Sequence, residues 1–153
     1  VILRPPLVYG PFAKGNVLSL LKLCRLAPPL PLGGIKNQRS MIFVGNLADA
    51  VITCLENPSA AGEIYFVRDG EDLSSSDLIR RVGEALNRPV RLFPFPPALL
   101  RLAGRITGKS LAVDRLLGSL QINDDKIRNQ LAWTPPFNVV QGLDKMAEWF
   151  KNP

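Results

Sequence analysis

Proline constrains this chain more than any other residue. Fourteen prolines stand among 153 residues, and many are clustered: Pro5-Pro6, Pro28-Pro29 with Pro31, Pro96-Pro97 and Pro135-Pro136. Each fixes its own φ and removes a backbone donor, so no long helix or central strand can run through these points. The chain must be built from short elements joined at forced breaks. Its length suits a single domain, and 46% hydrophobic with 21% charged residues is an ordinary globular balance.

Between the breaks, hydrophobic spacing predicts the elements. Val1 to Arg4 is a β-rich opening stopped by Pro5-Pro6, and Tyr9-Gly10-Pro11 is a turn. Asn16 is placed to cap a helix carrying Val17, Leu20, Leu21 and Cys24, which ends before Pro28. Met41 to Val44 is a short strand, and Asn46 caps a helix from Leu47 to Glu56 with Asp49 near its positive end. Ile64 to Val67 is another strand. Ser74 with Asp77 three residues on is a capping-box variant opening a helix that turns Leu78, Ile79, Val82 and Leu86 inward. Pro89 to Phe95 is extended, Pro97 starts a helix at its first position, and Leu111 to Leu117 forms the next. Asn123 caps Asp124 to Leu131, and a last helix near Val139 to Phe150 buries Val140, Leu143, Met146, Ala147 and Phe150. Short strands among helices make an α/β or α+β pattern with too few strands for a complete doubly wound sheet. An unpartnered opening strand with no initiator Met gives the expectation of a piece of a longer protein, prone to self-association through exposed strand edges.

The chain has no histidine, which excludes a histidine base, a Ser-His-Asp triad and a histidine-bound metal within it. Cys24 and Cys54 are expected to be reduced, buried thiols of a cytoplasmic protein. Net charge is +6, and Arg4, Lys14, Lys22, Arg25, Lys36 and Arg39 precede the first acid, Asp49. Such a stretch favours an anion. Dispersed bases and 7% aromatics argue against nucleic acid, and nothing in the sequence suggests a membrane partner. No G-x-G-x-x-G, G-x-S-x-G or Walker loop is present. Tyr9 and Tyr65 have Ala13 and Asp69, not lysine, four places on, so no catalytic acid or base is assigned. Arg39, between a loop and a strand that leads into a helix, is the strongest anion-binding candidate, because a guanidinium grips phosphate bidentately. Asn16 is a second.

Three strings together resemble the extended short-chain dehydrogenases/reductases, the nucleotide-sugar epimerase and dehydratase family. They are Arg4-Pro5-Pro6-Leu7-Val8-Tyr9-Gly10-Pro11, Arg39 through Val44 to Asn46-Leu47-Ala48-Asp49-Ala50, and Lys126 through Leu131 to Trp133 and Pro135. They stand in the family's order, and the resemblance covers all 153 residues as a C-terminal half. It implies a substrate-binding lobe plus the last strands of an incomplete NAD(P)-binding Rossmann sheet, residues 1–4 and 64–67 supplying those strands. It further implies NAD or NADP as cofactor and a nucleoside-diphosphate sugar, UDP-linked, as ligand, in a parent enzyme that is a homodimer. By the same resemblance Pro5, Pro6, Leu7 and Val8 lie by the nicotinamide. Asn16 and Val17 meet the diphosphate, Leu30 and Leu32 flank the base, and Arg39 binds a phosphate with Arg115 as a second arginine. The redox machinery would lie outside this chain, leaving it inactive alone. A non-catalytic nucleotide-binding or regulatory module on the same fold is the other reading. Asn46 stands where the family has Asp, Ala132 where it has Gly, and Leu7 where galactose-type epimerases have Asn, which keeps a 4-keto-sugar reductase open beside an epimerase.

Overall fold

A computed structural model describes residues 1–152. β1 (Ile2–Arg4) pairs in parallel with β4 (Ile64–Phe66), Leu3 opposite Tyr65. After Pro5-Pro6 the chain changes partner. β2 (Leu7–Tyr9) pairs in parallel with β3 (Met41–Phe43), Val8 opposite Ile42. The sequence reading places no strand at Leu7, on the ground that the two prolines stop pairing; they stop only the pairing of β1. The chain leaving β4 returns beside β3, where the Asp69 N–H donates to the Met41 carbonyl at 2.8 Å.

The helices are α1 (Gly15–Leu26), α2 (Val44–Glu56), α3 (Ser75–Ala85), α4 (Pro97–Ile106), α5 (Ser110–Leu117), α6 (Asp125–Leu131) and α7 (Val139–Lys151), with a 3₁₀ turn at Pro58–Ala60. Strand residues alternate between two buried clusters, as a period of two requires. Tyr9, Met41 and Phe43 face a cluster with α1, α3 and α7, through Leu21, Val82, Leu143 and Met146. Val8, Ile42 and Tyr65 face one with α2 and α6, through Ala50, Ile127 and Trp133. α7 comes so close to β2 that a Cβ on Gly142 would stand 2.7 Å from the Tyr9 hydroxyl, so that position needs glycine.

The Ser74 cap of α3 is as expected, its hydroxyl accepting from the Asp77 N–H at 3.0 Å, and Pro97 opens α4. Three expected asparagine caps are corrected. Asn16 lies exposed inside α1, whose cap position is Lys14. Asn46 lies inside α2, which runs straight out of β3 with Phe43 at its cap. Asn123 stands one residue before the cap position, Asp124, and folds back on Asp125, accepting from its N–H at 2.7 Å. All three fit the Asn preference for helix starts; the registers slip by one to three residues because neighbouring strand and turn geometry starts each helix elsewhere. Val140, expected inside, is 54% exposed, since Val139, Leu143, Met146 and Ala147 already fill α7's inner face.

Candidate functional site

Arg39 lies at the middle of a three-stranded patch of isolated bridges. It exchanges backbone hydrogen bonds with Leu73 at 2.9 and 3.1 Å and bridges in parallel to Leu120. Ser40 N–H donates to the Leu120 carbonyl at 2.8 Å, and Leu120 N–H to the Gln38 carbonyl at 2.9 Å. With its backbone held on both sides, Arg39 directs its guanidinium outward, where Nη1 donates to the Arg115 carbonyl. The two arginines, 76 positions apart in sequence, line one cavity of about 340 Å³ with Leu111, Asp114, Gly118, Ser119 and Leu120. That volume is at the small end for a ligand site. Asp114 is the one acid among these lining residues, and it sits 3.8 Å from Arg101 in an exposed, weak pair.

Buried polar side chains hold the cavity wall. Asn37 accepts from the Ser75 N–H at 2.8 Å and donates to the Leu116 and Gly118 carbonyls at 3.1 and 2.7 Å. It thereby ties the end of α5 to the start of α3 and fixes the carbonyl-rich turn opposite Arg39. Ser40 donates to Asp72 at 2.8 Å and accepts from the Ile122 N–H at 3.0 Å. Burial alone would raise the Asp72 carboxyl, but Gln121, Ser40 and Arg68 together hold it below the usual carboxylate range. Neither Asn37 nor Asp72 was singled out from sequence, because nothing in I-K-N-Q-R or in D-G-E-D marks a residue as bonded to distant segments.

The remaining sequence-derived residues are dispersed. Asn16 is exposed on α1, and Val17 is buried in the core, so Val17 could meet a ligand only through its backbone. Leu32 is buried too, its carbonyl accepting from Ser76, while Leu30 is half-buried and bridges to Leu92. Pro5 is exposed, and Pro6, Leu7 and Val8 are half-buried. None of these lines the cavity shared by Arg39 and Arg115.

β2 ends in a second polar node. The Asp69 side chain is fully buried and accepts from the Tyr9 hydroxyl at 2.7 Å, the Phe43 N–H at 3.0 Å and Asn46 Nδ2 at 2.7 Å. Asn46 also donates to the Phe137 carbonyl at 2.8 Å and accepts from its N–H at 2.9 Å, which binds α2 to the segment before α7. An amide both donates and accepts here; an aspartate at position 46 would set a second carboxylate against Asp69. Burial, then the Asp69 carboxylate, pushes the Tyr9 phenol well above its ordinary range. Tyr9 is thus a structural donor, unlike the lowered-pKa tyrosine that proton transfer requires. Burial likewise pushes the Cys24 thiol up to about 11, which leaves it unreactive. Among the described residues no cluster of His, Cys, Asp and Glu could hold a metal ion.

The fold, parallel strand pairs with helices on both sides, matches a portion of solved epimerase structures, and the curated relatives that the chain resembles in sequence include sugar 4-epimerases. A UDP-glucose 4-epimerase of Vibrio cholerae is 39% identical over 151 residues, covering 98% of this chain and 46% of the relative. The N-acetyl-alpha-D-glucosaminyl-diphospho-ditrans,octacis-undecaprenol 4-epimerase of Escherichia coli O157:H7 is 29% identical over 160 residues, covering 97% and 48%. Among solved structures, the UDP-glucose 4-epimerase of Thermus thermophilus in complex with NAD superposes with a TM-score of 0.66 at 21% identity, covering 98% of this chain and 46% of that one. The chain spans about half the length of the curated relatives it matches. No protein-family model matches it.

Proposed function

We propose that this chain is the substrate-binding part of an NAD(P)-dependent nucleotide-sugar epimerase, dehydratase or 4-keto-sugar reductase, and that Arg39 and Arg115 hold the ligand's diphosphate. The observation that carries the reading is their meeting, from distant points of the sequence, on one cavity. The two relatives support it chemically. Their names give one a UDP-sugar and the other a diphospho-undecaprenol sugar, and the shared element is a sugar on a diphosphate. Two guanidinium groups suit that dianion.

The cofactor belongs to the same reading. The T. thermophilus neighbour holds NAD. In this chain the end of β2 could supply only a wall beside a nicotinamide, since no glycine-rich phosphate loop occurs in the sequence. Bound there, a nicotinamide would supply hydride transfer; this chain's part would be to place the sugar and exclude water. Both tyrosines are buried, so this chain alone is expected to bind without turnover. β1 and β4 would then belong to a larger nucleotide-binding sheet, with the rest of the chain forming most of the substrate lobe.

Titration calorimetry with UDP and UDP-glucose tests the clamp. Removing one charge-assisted contact is worth roughly 1.5–3 kcal/mol, so Arg39→Ala should weaken binding about tenfold to a hundredfold. Unchanged affinity in a variant with native circular dichroism would remove Arg39 from the site.

A further inference from the structure

α4 and α5 lie against each other beside the cavity, joined by the turn at residues 107–109, and they are the α-helices with the fewest buried residues. Gly104 is buried, and the rest of both helices is half-buried or exposed. Leu99, Leu102 and Ile106 recur at i, i+3 and i+7, one face of α4, and are 48%, 52% and 78% exposed. Leu111, at the start of α5, is 73% exposed. A lone exposed leucine is ordinary; three leucines and an isoleucine exposed on one hairpin form an apolar stripe that needs a partner.

The charge on the same hairpin says what kind. Between residues 97 and 117 stand Arg101, Arg105, Lys109 and Arg115, against the single acid Asp114. Asp114 is engaged by Arg101, and among the described residues Arg105 and Lys109 make no ion pair. The whole-chain charge count hides this segment, because the acids that balance it lie elsewhere in the sequence.

We propose that the α4–α5 hairpin docks this protein onto an anionic lipid bilayer. Leu99, Leu102, Ile106 and Leu111 enter the boundary between headgroups and acyl chains, and Arg105 and Lys109 meet lipid phosphates. A second copy of the chain fits poorly, since a two-fold contact through this face would set its bases against their own copies. The docking proposed is by the hairpin surface; no helix of the described residues is long and apolar enough to cross a membrane. It departs from the sequence-based expectation of a protein without a membrane partner. Leu111 lines the Arg39–Arg115 cavity as well as the stripe, so docking sets the cavity beside the lipid surface.

Co-sedimentation with phosphatidylcholine vesicles, with and without phosphatidylglycerol, tests this. The protein should sediment with the phosphatidylglycerol vesicles alone, and less as salt rises. Arg105→Gln with Lys109→Gln, both at exposed positions, should weaken partition roughly fivefold per base. Leu102→Ser with Ile106→Ser should abolish it. Ile64→Thr with Phe66→Thr, on the other exposed apolar face, should leave it unchanged. Binding that ignores phosphatidylglycerol, or that survives both hairpin variants, overturns the proposal. So does a hairpin variant that keeps vesicle binding while turning an oligomer into a monomer, which would make this face a contact between copies. Neither result bears on Arg39 and UDP.

Discussion

Strands β2 and β3 are apolar on both faces and covered on both, whereas β1 and β4, apolar but for Arg4, are covered on one. Leu3 and Tyr65 turn into the cluster with α6, but Ile2, Ile64 and Phe66 on the opposite face are 53%, 39% and 41% exposed. Parallel pairs are found with both faces buried. The polar groups differ in the same direction. At β2–β3 every donor around Asp69 has its acceptor, and α7, which packs on that layer, starts with a complete capping box between Asn138 and Gln141. At β1–β4 the buried Tyr65 hydroxyl has no partner. The lesson is that this chain closes one of its two layers itself and leaves the other needing a further surface.

The strongest way to break the comparison is Asp69→Ala. It strands the Tyr9 hydroxyl, the Phe43 N–H and the Asn46 amide in a dry interior, at about 1–3 kcal/mol for each that finds no substitute. A loss of roughly 3 kcal/mol or more in urea unfolding is expected, with β2, α2 and α7 loosened together. A loss below about 1 kcal/mol, close to what surface substitutions cost, would mean that the closed layer does not depend on this node.

Much of the fold was legible in the sequence, for reasons visible in single residues. Ser74 and Asp77 mark the start of α3 because capping needs only a side chain and a nearby N–H, both local. Pro97 marks α4 for the same reason. What escaped was long-range. Asn46 reads as a cap because Asn is common at helix starts, yet its partners are Asp69 and Phe137, 23 and 91 positions away. Arg39 was legible as a cation between a loop and a strand, and the resemblance paired it with Arg115. The Asn37 bracing that shapes their cavity was not, because it joins positions 38 to 81 residues apart. Likewise the basic hairpin vanishes in a count that sets its charges against distant acids.

A smaller effect sharpens the contrast between the two tyrosines. Tyr9→Phe removes a hydroxyl with a partner, Tyr65→Phe one without. Tyr65→Phe should therefore leave stability unchanged or raise it by about 1 kcal/mol, the cost of a buried unpaired group being relieved. Destabilisation of the size expected for a lost hydrogen bond would show that the Tyr65 hydroxyl is satisfied after all and that the open layer is better finished than its geometry suggests.

The smallest expected effect lies at the exit of α6, beside Trp133 of the same layer. Ala132 has φ +52° and ψ +27°, a left-handed cap that its Cβ opposes and that glycine takes without strain. The residue is exposed, so Ala132→Gly removes no packing. The left-handed conformation costs a non-glycine residue about 1–2 kcal/mol, and glycine's freer unfolded chain returns about 0.5–1 kcal/mol of that. A net gain of roughly 0.5–1 kcal/mol is expected, read as a rise in melting temperature. Ala27 ends α1 at φ +47° under the closed layer but is half-buried, so the same exchange there gives up some packing and should gain less. Gains at both sites would make the strain a local property of helix ends, with the difference between the layers lying in Tyr65 and the uncovered face alone; no gain at Ala132 would show that its left-handed backbone carries no strain.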